Sequence, residues 1–323
     1  MPPTDPRRYL VTGALGAIGA WTLRALLDRG RDAVIFDLGG SMHRLAMALA
    51  PEELERVVVE HGDITDLERL EAVLDRHEIT NIIHLAALQV PFVRADPPLG
   101  AAVNVVGTVN VLEAARRRSD RIGPVVYASS IAVFGPNATS PGEGEPGTLY
   151  GVFKRTNEST ALRYAGDYGV RSIGLRPHTV YGPARDQGLT SAPSVAMLHA
   201  AAGVPYRIPF GGRMQLQYTP DVGEAFVRAS EAACDGATVH NLDGPVASVG
   251  EIIAAIEEAA PEARGLVTAE AEPLPFPAGV DGSAFAELVG GSVMRPVRDG
   301  IADAISRFKE LLADGRVTLP SNA

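Results

Sequence analysis

Tyr150 and Lys154 stand four residues apart in Tyr-Gly-Val-Phe-Lys, at the start of a stretch with helical character. A phenol and an ammonium on one helix face can act together. The spacing itself is common, and its force comes from order along the chain. A glycine-rich turn comes first, the hydroxyl pair Ser129-Ser130 then ends an apolar run, and Tyr150 follows twenty residues after Ser130. All three features point to the carboxyl edge of a parallel sheet, where such folds bind their ligands.

The turn is Gly13-Ala14-Leu15-Gly16-Ala17-Ile18-Gly19, entered from the apolar run Tyr9 to Thr12 and followed at once by a helical pattern. A glycine at every third position permits a tight turn, close approach of the backbone to a pyrophosphate, and tight helix-on-strand packing. The N–H groups at the helix start then face the anion. The strand before and the helix after give the motif its weight. Asp37 ends the next apolar run, eighteen residues beyond Gly19, where a carboxylate accepts hydrogen bonds from the adenosine ribose hydroxyls and repels a 2′-phosphate. The expected cofactor is NAD. Arg44 keeps NADP tolerance open, and a turn-forming role before Leu38-Gly39-Gly40 is the competing reading of Asp37. In Gly62-Asp63-Ile64-Thr65-Asp66, Asp63 and Ile64 are placed to hold an adenine amino group and ring, although Asp63 or Thr65 as a helix N-cap explains the same residues.

The elements that must position these residues alternate in the manner of repeated βαβ units. Tyr9 to Thr12, Ala33 to Phe36, Arg56 to Val59, Asn81 to Leu85, Pro124 to Ala128 and Arg171 to Leu175 read as six strands, nearly continuously apolar because both sheet faces are covered. Helical patterns fill the gaps, among them Ala20 to Arg29, capped by Gly30, and Ala101 to Arg118, whose final Arg116, Arg117 and Arg118 suit a solvated helix C-terminus. The fold class is α/β, a Rossmann-type doubly wound parallel sheet over residues 1–180, with a smaller C-terminal substrate-binding lobe over 181–323. Proline and glycine mark Pro205 to Gly212 and Pro273 to Pro277 as irregular. Thr219 to Glu231 and Val249 to Ala260 read as helices, and Thr238 to Leu242 as a strand, with roughly 218–245 returning to the first sheet.

With 323 residues, 46% apolar and 21% charged, the chain has the composition of a folded globular protein. Its net charge of −10 and scattered arginines argue against nucleic acid as a partner and favour a small polar substrate. The single cysteine, Cys234, excludes an internal disulfide and reads as a packing residue. No His/carboxylate spacing suggests a metal. The N-terminus lacks a secretory pattern, and the uncharged stretches Gly123 to Gly142 and Gly188 to Tyr206 are broken by Pro, Gly, Ser and Asn, which a membrane span rarely carries together; a cytoplasmic protein is expected.

Taken together, Thr12 to Gly19, Gly62 to Asp66, His84-Leu85-Ala86-Ala87, Asn104 to Ala115, Ser129 to Gly135, Tyr150 to Lys154, Leu175 to Pro183 and Tyr218 to Ala225 resemble the extended short-chain dehydrogenase/reductases, in their NAD-dependent epimerase/dehydratase branch. The resemblance covers nearly the whole chain. It implies that Tyr150 is the general acid/base for a substrate hydroxyl, that Lys154 favours the phenolate and holds the nicotinamide ribose, and that Ser130, rather than Ser129, orients the substrate oxygen. It assigns NAD to Gly13, Gly16, Ala17, Ile18, Gly19, Asp37, Asp63, Ile64, Leu85, Ala86, Ala87, Tyr150, Lys154 and Pro177. It places Gln89 and Thr179 in the reaction pocket, with His178 as a second acid/base or a packing residue.

Family dehydratases carry an acidic pair directly after the serine, and here the pair is Ile131-Ala132, so hydroxyl oxidation or epimerisation is expected instead. The arginine that binds a diphosphate in nucleotide-sugar members falls on Met214, one residue from Arg213. A sugar, polyol or sugar acid is therefore favoured, with Arg185 and Arg213 as candidate partners for a carboxylate or hydroxyls. A nucleotide-sugar 4-epimerase and a non-catalytic NAD-sensing regulatory protein remain as alternatives. The resemblance also implies a homodimer through helices Ala101 to Arg118 and Tyr150 to Tyr168.

Overall fold

The structure, a computed structural model, describes residues 7–135, 144–274 and 277–319. The part of the Gly123 to Gly142 stretch beyond residue 135, and residues 275–276 of the proline-rich segment, lie outside the described residues. Twelve strands are described: β1 (Arg8–Thr12), β2 (Asp32–Asp37), β3 (Val58–His61), β4 (Asn81–His84), β5 (Val125–Ala128), β6 (Ser172–Arg176), β7 (Thr179–Tyr181), β8 (Tyr206–Ile208), β9 (Arg213–Tyr218), β10 (Ala237–Asn241), β11 (Val246–Ser248) and β12 (Val267–Ala269).

Seven of them form one wholly parallel sheet in the order β10-β6-β5-β4-β1-β2-β3. The order reverses between β1 and β4, and the crevice outside the carboxyl ends of these two strands is where a doubly wound sheet receives its ligand. The central strands are buried over most of their length, with Leu10, Val11, Ile82, Ile83 and Val126 enclosed, which explains their apolar runs. β10 comes from the C-terminal third and pairs with β6, Thr238 opposite Ile173.

Three expectations shift. β3 begins at Val58 rather than Arg56, because the Arg56 N–H closes a turn onto the Glu53 carbonyl. The helix expected from Ala101 starts at Pro97 and ends at Arg116, with a π turn over Ala102–Val106. This helix is long and apolar enough to cross a membrane by length and composition, yet half of it is buried, with Val103, Val111 and Leu112 packed on the sheet. The segments around Tyr206 and Pro273 are not wholly irregular: β8 pairs with β12, and Gly211 bridges to Pro273.

Beside the main sheet, β11, β9 and β7 form a three-stranded sheet. Behind it lies a separate apolar cluster that contains Met197, Phe210, Met214, Ile252 and Phe308. Cys234 is buried against the Ser172 and Gly236 carbonyls, and burial raises its thiol pKa.

Candidate active site

A cleft of about 980 Å³ opens at the switch point, walled by the glycine turn, the ends of β2, β4 and β5, and loop 185–190. At Gly13 the backbone takes φ +70, and a Cβ there would come within 2.6 Å of the Ala86 backbone; glycine lets β1 and the loop after β4 converge. Gly16 caps helix Ala17–Asp28 without any side-chain bond, and no acidic residue stands in the first turn, so the first N–H groups are left for an anion. Asp37 accepts from the Leu15 N–H at 3.2 Å, and its carboxyl pKa is raised because burial outweighs the backbone hydrogen bonds it receives. Gly13, Gly16, Ala17, Ile18, Gly19, Asp37, Asp63, Ile64, Leu85, Ala86, Ala87 and Pro177 all line the cleft. An open helix start at one end and a carboxylate at the end of β2 fit a dinucleotide whose ribose carries free hydroxyls. Asp63 instead receives Thr65 through one oxygen, and the cap of the next helix is Asp66, not Asp63 or Thr65.

Helix Leu149–Tyr168 begins at Thr148, whose hydroxyl accepts from the Gly151 N–H at 3.1 Å. A Cβ at Gly151 would lie 2.1 Å from the Ala132 carbonyl oxygen, so glycine inside the Tyr-Gly-Val-Phe-Lys run seats this helix directly on the turn that starts at Ser130. Ser130 caps that turn through the Ala132 N–H at 3.1 Å and lines the cleft together with Tyr150. Burial raises the phenol pKa, while the Ser130 hydroxyl and the Arg185 charge oppose the rise. Lys154 donates to the Ala128 carbonyl at 2.6 Å and sits 5.7 Å from the Tyr150 ring centroid; burial lowers its ammonium to about 8. Ser129 points the other way, onto buried Glu158, which is paired with Arg176 at 2.6 Å.

Gln89, Thr179, His178 and Arg185 reach the same cleft, and Arg213 does not. β9 has an exposed first residue and then buried ones, so Arg213 faces outward to Glu251 at 3.1 Å while Met214 enters the apolar cluster. His178 accepts the Thr179 N–H at Nδ1 (2.9 Å) and donates from Nε2 to the Pro277 carbonyl (2.8 Å). Burial lowers it to about 4, so it is neutral at pH 7 with both nitrogens engaged, the packing reading rather than the acid/base one.

Sequence reasoning missed the groups that brace the cleft. Buried His84 links Thr12 at 2.7 Å to Thr108 at 3.2 Å, tying the carboxyl ends of β1 and β4 to the helix that carries Thr108. Asn104, within the π turn, holds both backbone groups of Leu88 at 2.7 and 2.9 Å. Asp186 joins loop 185–190 to the short helix His43–Ala48 that follows β2, receiving His43 at 2.8 Å and Arg44 at 2.9 Å, so Arg44 is already engaged. A polar residue inside a strongly apolar run was the available signal for His84, and nothing local marks Asp186.

A model of the NAD dependent epimerase/dehydratase family matches residues 9–242. The UDP-glucose 4-epimerase of Mycolicibacterium smegmatis is 31% identical over 325 residues, covering 94% of this chain and 98% of that protein. UDP-glucuronate 4-epimerase 6 of Arabidopsis thaliana is 35% identical over 183 residues, 54% of this chain and 40% of the relative, so the chain spans about two fifths of that protein's length. The solved structure of the Thermus thermophilus UDP-glucose 4-epimerase complexed with NAD has a TM-score of 0.76 at 25% identity, covering 94% and 99% of the two chains.

Proposed function

The chain belongs to the NAD-dependent epimerase/dehydratase family, and from that membership we propose that it oxidises a secondary hydroxyl of a sugar-like substrate, either in net dehydrogenation or in epimerisation through a transient ketone. The observation that carries this reading is the convergence of Ser130, Tyr150 and Lys154 on the wall of the dinucleotide cleft, with the Lys154 ammonium 5.7 Å from the Tyr150 ring centroid. NAD held on Gly13 to Gly19 and Asp37 supplies a hydride acceptor. Tyr150, as phenolate, takes the hydroxyl proton; Ser130 donates to the substrate oxygen and fixes its position; Lys154 lowers the energy of the phenolate through its positive charge. Ile131 and Ala132 carry no titratable group, so elimination of water lacks its second acid/base. Residues 181–323 supply much of the substrate side, through Arg185 and its loop.

Tyr150→Phe is expected to lower turnover roughly 10²–10⁴-fold, the range for losing a general acid/base, with NAD affinity nearly unchanged. Steady-state NADH formation, or epimer interconversion, measured beside NAD binding checks this. Full activity in the variant removes the assignment. Bound NAD in freshly purified protein without net NADH on substrate addition points to epimerisation.

We also propose a homodimer. Helices Pro97–Arg116 and Leu149–Tyr168 expose Leu99, Val106, Val152, Leu162 and Tyr168, and a groove of about 590 Å³ runs along the second helix.

A further inference from the structure

Arg185 lies on the cleft wall with neutral hydrogen-bond partners: the Thr190 hydroxyl at 2.9 Å, the Gln89 side-chain oxygen at 3.4 Å and the Gln187 carbonyl. Other shielded arginines here meet carboxylates, Arg176 with Glu158 at 2.6 Å and Arg118 with Asp75 at 2.6 Å. The neighbouring Asp186 acts on Arg185 through its charge but makes no hydrogen bond to it, because its two oxygens are held by His43 and Arg44. Loop 182–185 is fixed in place: the Pro183 carbonyl accepts Trp21 at 2.9 Å and Thr219 at 3.2 Å, and Ala184, buried, takes φ 75. A non-glycine residue held at positive φ directly before Arg185 is local strain that the packing must overcome. A half-buried guanidinium on a cleft wall, with no carboxylate hydrogen-bonded to it, has its donor fork available to an anionic ligand. Its charge acts on the Tyr150 phenol, so the anion it lacks would sit beside the reacting hydroxyl.

Resting on the reading above, we propose that the substrate is a free polyhydroxy carboxylate, whose carboxylate is gripped by Arg185 while its secondary hydroxyl lies on Ser130 and Tyr150. The planar fork of a guanidinium matches a carboxylate in two parallel hydrogen bonds, with Thr190 and Gln89 flanking it. A nucleotide diphosphate is poorly served. Beyond Arg185 the wall consists of Gly188, Leu189, Thr190 and Leu274, and the only other lysine or arginine side chains among the described cleft residues are Arg44, engaged by Asp186, and Lys154, beside Tyr150. Behind that wall Met197, Phe210 and Met214 are closely packed, while Glu272 is held by Gly211, Pro277 by His178 and Val280 by Gln215.

The test uses full-length protein with NAD and three probe classes: aldonates and uronates of differing chain length, the matching neutral polyols, and UDP-glucose. The wild type is expected to bind and turn over a member of the first class. Arg185→Gln is expected to raise its KM roughly 10- to 100-fold, the cost of losing charge-assisted hydrogen bonds, with a smaller change in kcat and an unaltered NAD dissociation constant. Arg185→Lys, a point charge without the fork, should fall between. Calorimetry of the same probes on the NADH-bound protein gives a second readout independent of turnover. Polyols handled as well as the acids, UDP-glucose binding that survives Arg185→Gln, or no carboxylate binding at all overturns the proposal. Loss of NAD binding, or turnover indifferent to Tyr150→Phe, strikes the wider oxidoreductase reading instead.

Discussion

At the scale of single residues, we propose that Asp37 sets the cofactor preference. It accepts from the Leu15 backbone within a turn, so a ribose 2′-phosphate there would meet a carboxylate at short range. Asp37→Ser should narrow the preference for NAD over NADP roughly ten- to a hundredfold, the equivalent of 1–3 kcal/mol. Dissociation constants of both cofactors in parent and variant check it; an unchanged ratio makes Asp37 a turn residue only. His178 has the opposite kind of role, since both its nitrogens are engaged in the neutral form. Its folded value is depressed to about 4 from 6.5, so between those pH values the unfolded chain binds a proton that the folded one does not. Stability is therefore present above about pH 6.5 and is lost as pH falls through 4. Urea midpoints followed from neutral to acidic pH should decline, and His178→Gln should flatten part of that slope.

At the scale of elements, the site depends on how closely helix Leu149–Tyr168 meets the Ser130 turn. Gly151→Ala raises the helix propensity but adds one methyl group 2.1 Å from the Ala132 carbonyl oxygen, so the helix or the turn must move. Such displacement of a catalytic pair is expected to cost up to about 10²-fold in turnover while the far-ultraviolet dichroism stays native. Wild-type kcat in the variant would mean that the contact does not position Tyr150. The same logic separates Arg213 from Met214: both stand in β9, and period-two alternation sends one to solvent and the other to the core. The Arg116 to Arg118 cluster, readable as a helix end, gains partners across space in Glu71 and Asp75. Those pairs hold the Asp75 carboxyl well below its ordinary range, through the Arg118 hydrogen bond above all.

For the whole molecule, the exposed apolar residues of helices Pro97–Arg116 and Leu149–Tyr168 predict association. Light scattering at micromolar concentration should give twice the chain mass, and Leu162→Glu, at 54% exposure, should shift it towards the monomer without loss of fold. A monomer mass for the parent removes the proposal. The sequence by itself determined the parts whose causes are local: unbroken apolar runs make buried parallel strands, glycine at position 13 permits a positive φ, and four-residue spacing puts Tyr150 and Lys154 on one helix face. Tertiary structure alone decided which candidates meet in the cleft. Ser129 is turned away by its hydrogen bond to Glu158, on another element, while Ser130 lines the cleft with Tyr150. Arg185 keeps only neutral hydrogen-bond partners because His43 and Arg44, far away in sequence, hold its neighbour Asp186. Local sequence sets backbone conformation through short-range sterics, whereas the charge, tautomer and exposure of a side chain are set by neighbours that only the folded chain brings within hydrogen-bonding distance.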